Sequence, residues 1–377
     1  MLAVSSTPFV LWERLQESAS SLIMASSGYA GGNFMKSKKV TILDVAQLAN
    51  VTKSTVSRVV NDSPLVNDKT KQRVWKAIEE LGYTPNRTAR SLALGKTNVI
   101  GFVVSEQQIS DVVSNPFFPT VLKGITTVAN REGYNILLLS LSGQDIKSYR
   151  EIIQRHTVDG FLILGGPSNP KLGSDLDKLK VPYVFIGKHD PAAEHSYVST
   201  DNEEGGYIAG KHLIELGHSE IRFMVGEVKG SLLSHNIERI AGFKRAFDEA
   251  GMTFAEHLVV KVPTDIESGY HFMKSYLAKD RPSGLILSNE VTSMTCLNLL
   301  IDEGIAVPEE MSIVSFGDAQ FFRNTRPSLT TVSQSVEWLG KTAMELLLQR
   351  ISGEVSYPSP IVRKPEIVLR GSTKKMR

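Results

Sequence analysis

Apolar positions recur at helical spacing in three short blocks near the start of the chain, 42–49, 53–61 and Asp68–Leu81. Each block is opened by a residue that can cap a helix: Thr41, Thr52 and Asn67. Ala46 and Ala49 are small enough for a second helix to approach closely, and Asn50 sits at the intervening turn, where Asn tolerates positive φ. In the second block Val56, Val59 and Val60 form one side, while Lys53, Ser54, Ser57, Arg58 and Asn61 fill the other. Gly82 stops the third block, with Pro85 beyond it. Two short helices across a tight turn, the second polar on one side, predict a helix-turn-helix. An ordinary three-helix bundle with a polar surface helix is the alternative that periodicity leaves open.

From residue 99 the pattern changes. Short apolar runs at Val99–Val104, 135–141, Gly160–Leu164 and 181–186, then 221–225, 257–262, Gly284–Leu287 and Ser312–Phe316, read as two series of strands. Amphipathic stretches between them include 121–131, Ile146–Gln154, 203–216, 237–250, Ile266–Leu277 and 294–303. Strands alternating with helices imply βαβ units, so the fold class is α/β: a small all-α head and a body of two Rossmann-like lobes with parallel sheets. A ligand is expected in the cleft outside the strand ends. The chain divides into 1–35, 36–84 (the small helical head), 85–98 (a connecting segment) and 99–377 (the two-lobed body). Residues 1–35 read as a disordered extension, or as an over-called start given the internal Met24 and Met35.

Charge sharpens this division. The net charge of +2 conceals twelve Lys/Arg against five Asp/Glu between Lys36 and Asn98, with a mildly acidic remainder. A basic head on an acidic body is the asymmetry expected of a segment that meets nucleic acid. Arg58 suits a bidentate contact to guanine, and Ser or Thr can bond to any base. Cys296 alone excludes an intramolecular disulfide and a Cys-based zinc site, and no run approaches the length of a membrane span. The expected location is the cytoplasm.

The stretch Val40-Thr-Ile-Leu-Asp-Val-Ala-Gln-Leu-Ala-Asn-Val-Thr-Lys-Ser-Thr-Val-Ser-Arg-Val-Val-Asn61 resembles the head of the LacI/GalR family of repressors, as does Gly82-Tyr-Thr-Pro-Asn-Arg-Thr-Ala-Arg-Ser-Leu-Ala93. Asn50 departs from the family's usual Gly. The resemblance implies base reading by Lys53, Ser54 and Arg58, and backbone contact or orientation by Thr41, Thr52, Thr55, Ser57, Asn61, Asn67, Thr70 and Tyr83. It also implies a hinge helix over 86–94 that orders on DNA, with contacts from Asn86, Ala89 and Leu92. Leu92 would then be a minor-groove wedge; a plain linker is the alternative. The body resembles the family's periplasmic-binding-protein-like effector domain through Asn115-Pro-Phe-Phe118, Arg239-Ile-Ala-Gly-Phe243 and Pro327-Ser-Leu-Thr-Thr-Val332.

No catalytic constellation emerges, so an enzyme is not expected. Gly165-Gly166 lacks the Gly-Lys-Ser/Thr of a phosphate loop. Cys296 lies among apolar neighbours, and His189/His195 and His212/His218 lack ligand spacing, so neither metal nor cofactor is expected. Sugar recognition asks for aromatic faces, charged donors and amides. Phe117 and Phe118 are candidates for an apolar wall, with core packing as the alternative. Arg239 opens a helix from which a guanidinium can hold adjacent hydroxyls bidentately. Asn289 and Gln334 match family ligand positions. Gly317 stands where the family often has an acid or amide, leaving Asp318 as the acidic candidate of that turn. Phe185-Ile-Gly-Lys188 and Val314-Ser-Phe316 resemble the maltose-operon repressors, which favours maltose or another glucoside and adds Lys188 to the effector candidates. The expected protein is a homodimeric repressor that binds double-stranded operator DNA and a carbohydrate effector, with no membrane partner. A catabolite-control regulator using a phosphoprotein co-repressor and a sugar-binding transport receptor are the alternatives.

Overall fold

The computed structural model describes residues 40–60, 63–83, 96–104, 116–140, 146–165, 171–188, 195–228, 230–356 and 358–376. The expectations for residues 1–35, Asn61, and the hinge with Asn86, Ala89 and Leu92 lie outside these. The chain divides into two compact units at residue 90. No helix among the described residues is long and apolar enough to cross a membrane.

The first unit packs α1 (Ile42–Leu48), α2 (Lys53–Val60) and α3 (Asp68–Leu81) around Val45, Val56, Val59 and Val74, all fully buried. Asn50 adopts φ 50°, the left-handed turn its side chain permits, so the departure from Gly costs the turn little. Asn67 Oδ1 accepts from the Thr70 N–H at 2.9 Å and starts α3.

The second unit has two lobes. Lobe 1 holds β1 (Val99–Val104), α4 (Phe117–Arg131), β2 (Asn135–Ser140), α5 (Ile146–Gln154), β3 (Gly160–Leu164), α6 (Leu172–Lys178), β4 (Tyr183–Ile186) and β5 (Tyr197–Thr200). Lobe 2 holds α7 (Asn202–Glu215), β6 (Ile221–Val228), β7 (Ser231–Leu232), α8 (Ser234–Glu249), β8 (Val259–Pro263), α9 (Ile266–Leu277), β9 (Gly284–Leu287), α10 (Glu290–Asp302), β10 (Ser312–Phe316) and β11 (Thr330–Ser333). The chain then returns through α11 (Val336–Ser352) and β12 (Ile361–Arg363) to lobe 1, and ends on β13 (Glu366–Val368) in lobe 2.

Lobe 1 is a parallel sheet in the order β12-β5-β4-β3-β1-β2. Lobe 2 runs β13-β11-β10-β9-β6-β7, with β8 also paired to β6 and antiparallel partners only at β7 and β13. Helices cover both faces, which is why β3 and β10 are buried at every position instead of alternating. Three segments cross between the lobes, at 200–202, 333–336 and 363–366, and they are laced together. Thr200 Oγ1 donates to the Gln334 carbonyl at 2.9 Å, and the Asp201 N–H donates to the Arg363 carbonyl at 2.9 Å.

Several helices differ from expectation: α8 and α10 start three and four residues early, at Ser234 and Glu290, and α6 is not among the named stretches. α4 begins at Phe117, four residues before the predicted start, so Phe117 and Phe118 project from its first turn in different directions. α11, not among the stretches named from periodicity, packs along α4 and over β3, β4 and β5. In lobe 2, α7 and α8 approach so closely that a Cβ at Gly206 would overlap the Arg239 carbonyl, and one at Gly242 would overlap the Glu203 carbonyl. That contact sets the depth at which Arg239 enters the lobe.

Candidate functional site

On α2, Lys53, Ser54 and Arg58 are exposed while Val56 and Val59 are fully buried, so the helix presents one polar face to solvent. The Thr52 hydroxyl accepts from the Thr55 N–H at 3.2 Å and lies 2.8 Å from Ser54 Oγ and 2.9 Å from Thr55 Oγ1. The cap and the first polar contacts of the helix are therefore one cluster. The Asp44 carboxylate accepts from both the N–H and the hydroxyl of Thr41 at 2.7 Å, which orients the start of α1. Ser57 on α2 is half-buried, and so is Tyr83, which packs against the core of the head.

The second candidate site is a cleft of about 320 Å3 at the lobe crossing. Pro116, Phe117 and Thr120 from the start of α4 line one side. Glu290, Asp318 and Ala319 line the other, the crossing segment Ser333–Glu337 lies between them, and Trp338 and Arg363 complete the wall. The Arg363 guanidinium lies 5.2 Å from the centre of the Trp338 ring.

The seven candidate effector residues divide by place. Phe117, Asp318 and Gln334 line the cleft. Phe118 does not: it is buried in the lobe 1 core, stacked on Phe102 with centroids 5.7 Å apart. The reason is the earlier start of α4, which turns the second aromatic inward. Asn289 is the N-cap of α10, its Oδ1 accepting from the Thr292 N–H at 2.9 Å and its Nδ2 lying 3.3 Å from Ser288 Oγ. Lys188 reaches across from the end of β4 to Glu238 on α8 at 3.4 Å, an ion pair between lobes.

Arg239 is 3% exposed and lies behind Gln334. It donates to Asn202 Oδ1 from Nε at 3.2 Å and from Nη2 at 3.1 Å, to the Ser288 carbonyl from Nη1 at 2.8 Å, and to Gln334 Oε1 from Nη2 at 2.8 Å. Four of its five N–H donors are thus used by the protein, which corrects the expectation of a free bidentate fork. Its plane lies 4.2 Å from the centre of the Phe316 ring. Burial lowers its pKa to about 10, opposed by the carboxylates of Glu290 and Glu238, so it stays charged at neutral pH. Asn202 also donates to Glu238 at 3.0 Å, so one network runs from Lys188 through Glu238, Asn202 and Arg239 to Gln334. It joins both lobes and the crossing segment.

Asp318 is held by Arg370 and by Thr331 Oγ1 at 3.1 Å, with Arg323 at 3.8 Å. Part of its acceptor capacity therefore ties the segment after β13 to β11. Sequence reasoning missed Glu290, Trp338 and Arg363. Glu290 directly follows Asn289 at a strand end, a signal that was available; Trp338 and Arg363 join the cleft only through the return of the chain to lobe 1. Cys296 is buried in the lobe 2 core, where burial pushes its thiol up to about 12. That environment suits packing and not nucleophilic chemistry.

Residues 41–86 match the family described as bacterial regulatory proteins, lacI family, and residues 211–373 match a periplasmic binding protein-like domain. The chain is 33% identical over 340 residues to the HTH-type transcriptional repressor PurR of Aliivibrio salmonicida, spanning 89% of this chain and 99% of that protein. It is 32% identical over 340 residues to the HTH-type transcriptional regulator DegA of Bacillus subtilis, spanning 89% and 98%. Among solved structures, a transcriptional regulator CelR–cellobiose complex superposes with a TM-score of 0.67 at 30% identity, covering 88% of this chain and 99% of that one. The lac repressor dimer bound to operator and the anti-inducer ONPF has a TM-score of 0.77 at 24% identity, covering 89% and 100%, a likeness of fold. A helix-turn-helix head with a polar recognition face, a two-lobed body and these full-length relatives place the chain in the lacI family of bacterial DNA-binding transcriptional regulators.

Proposed function

We propose that this protein is a cytoplasmic, homodimeric repressor of carbohydrate-utilisation genes whose operator affinity is set by a sugar in the cleft. Its working parts are a head at 36–84, a hinge at 85–98 and an effector body at 99–377. Lys53, Ser54 and Arg58 read base edges in the major groove, and Thr41, Thr52, Thr55, Ser57, Asn67, Thr70 and Tyr83 contact or orient on the DNA backbone. Asn61, Asn86, Ala89 and Leu92 belong to the same proposal by family resemblance.

The observation that carries the carbohydrate assignment is the cleft wall, where Phe117 and Trp338 stand beside Glu290, Asp318, Gln334 and Arg363. Aromatic faces cover the C–H surface of a sugar ring, and carboxylates, amides and guanidinium groups answer hydroxyls that both donate and accept. The CelR–cellobiose complex is a related regulator with a glucose disaccharide, which supports a glucoside such as maltose or cellobiose. Arg239 contributes indirectly, holding Gln334 and tying it to the lobe 2 network. A ligand that favours one arrangement of the lobes shifts operator affinity, and the coupling is reciprocal, on the order of 1–3 kcal/mol.

Selection of genomic fragments by the purified protein, repeated with maltose, cellobiose, ribose and purine bases, tests the whole reading. Enrichment of fragments beside sugar-utilisation genes, altered by a disaccharide, is the expected result. Enrichment changed only by a purine base would overturn the effector assignment, and no enrichment over random DNA would overturn operator binding.

A further inference from the structure

Glu290 is the first residue of α10 and is 5% exposed, yet it lines the cleft. Among the described residues its carboxylate has no hydrogen-bonding side chain, and its own backbone N–H is the one donor near it. Buried carboxylates are ordinarily paired or well supplied with donors, because an unsolvated charge is costly. Arg239 attracts it through space but spends its donors on Asn202, Ser288 and Gln334.

The turn after β10 explains how the carboxylate fits. Gly317 has φ 89°, and a Cβ built there would overlap Glu290 Oε1 and Cδ. The missing side chain at 317 and the carboxylate at 290 therefore fill one volume between them. Position 317, just past β10, carries no side chain, and the carboxylate reaches that place from α10.

We propose that Glu290 is a ligand-contacting residue that determines specificity, its carboxyl group, seated where a side chain at Gly317 would stand, accepting hydrogen bonds from hydroxyls of the bound carbohydrate. The inference rests on the cleft being the effector site. A sugar hydroxyl supplies the donor that the protein withholds, and a ligand presenting only acceptors at that point would meet an uncompensated carboxylate. Burial, reinforced by Asp318 and opposed by Arg239, also raises the Glu290 pKa to about 7, as expected of a carboxyl group without enough donors.

Titration calorimetry of the full chain with maltose and cellobiose decides it, comparing wild type with Glu290→Gln and, for the sugar that binds, with its singly deoxygenated analogues. The amide keeps the size of the side chain but loses the anionic acceptor. We expect an affinity loss of about tenfold or more in Glu290→Gln, with cooperative unfolding retained and sugar-free operator binding unchanged. One deoxy analogue should bind wild type more weakly and show no further loss in the variant, a coupling that a merely structural role would not produce. Equal affinity of wild type and variant for a bound disaccharide would overturn the role of Glu290 while leaving the cleft as a sugar site. A wild type that binds neither disaccharide would overturn both.

Discussion

The polar face that we propose reads DNA comes from neighbouring residues on one helix, Lys53 to Arg58 behind the Thr52 cap, whereas the cleft draws its walls from separate segments between Pro116 and Arg363. The charges differ as much as the connectivity. Lys53 and Arg58 stand in solvent, while Arg239 and Glu290 are at least nine-tenths buried. An exposed basic surface works through long-range attraction that salt screens; buried charges work through desolvation and local hydrogen bonds that salt barely touches.

The largest expected contrast is therefore in ionic strength. If a dimer neutralises about 6–10 phosphates, operator affinity falls by about 10³–10⁵ between roughly 50 and 200 mM salt. Affinity for a neutral disaccharide over the same range should stay nearly constant. Parallel titrations measure both, and a flat operator curve would remove the phosphate-contact account of the head.

Next comes pH. The Glu290 pKa is raised in the folded state from 4.5 to about 7, so the native protein holds that proton more tightly than the unfolded chain. Its contribution to stability is complete below the unfolded value and is lost as pH rises through about 7, by at most about 3 kcal/mol. Chemical denaturation of the body at pH 5 and pH 8 should show a fall in wild type that Glu290→Gln largely removes. Identical pH dependence in both proteins would mean that Glu290 titrates normally.

A smaller effect separates base reading from phosphate contact on α2. Arg58→Ala should cost about 1–3 kcal/mol on the cognate operator and relax preference there, with unchanged sugar affinity. Equal losses on cognate and random DNA would make Arg58 a backbone contact. Smallest is the cap: Thr52→Ala removes the acceptor of the Thr55 N–H and should lower head stability by about 1 kcal/mol in thermal unfolding.

The two sites were also legible to different degrees. Caps, apolar spacing and the basic excess around Lys53–Arg58 are local properties, so α1, α2 and α3 follow from the order of residues, down to the left-handed turn at Asn50. In the cleft Gln334 comes from the family resemblance and Phe117 from its place before a helix, but Phe118 is misplaced, because a shift of a few residues in the start of α4 turns a side chain from the cleft to the core. Sequence reasoning also assigned Arg239 a free fork, since its partners Asn202, Ser288 and Gln334 lie on three other segments of the chain.

What the sequence determined by itself is whatever depends on near neighbours: the capped helices of the head, its charge, and the alternation that demands parallel sheets covered on both faces. Tertiary structure alone decided the return of α11 and β12 to lobe 1, which carries Trp338 and Arg363 to the cleft. It alone set Glu290 against the bare position at Gly317. Both depend on chain segments distant in sequence competing for one volume. No local periodicity records that competition, because its outcome is set by close packing between whole elements.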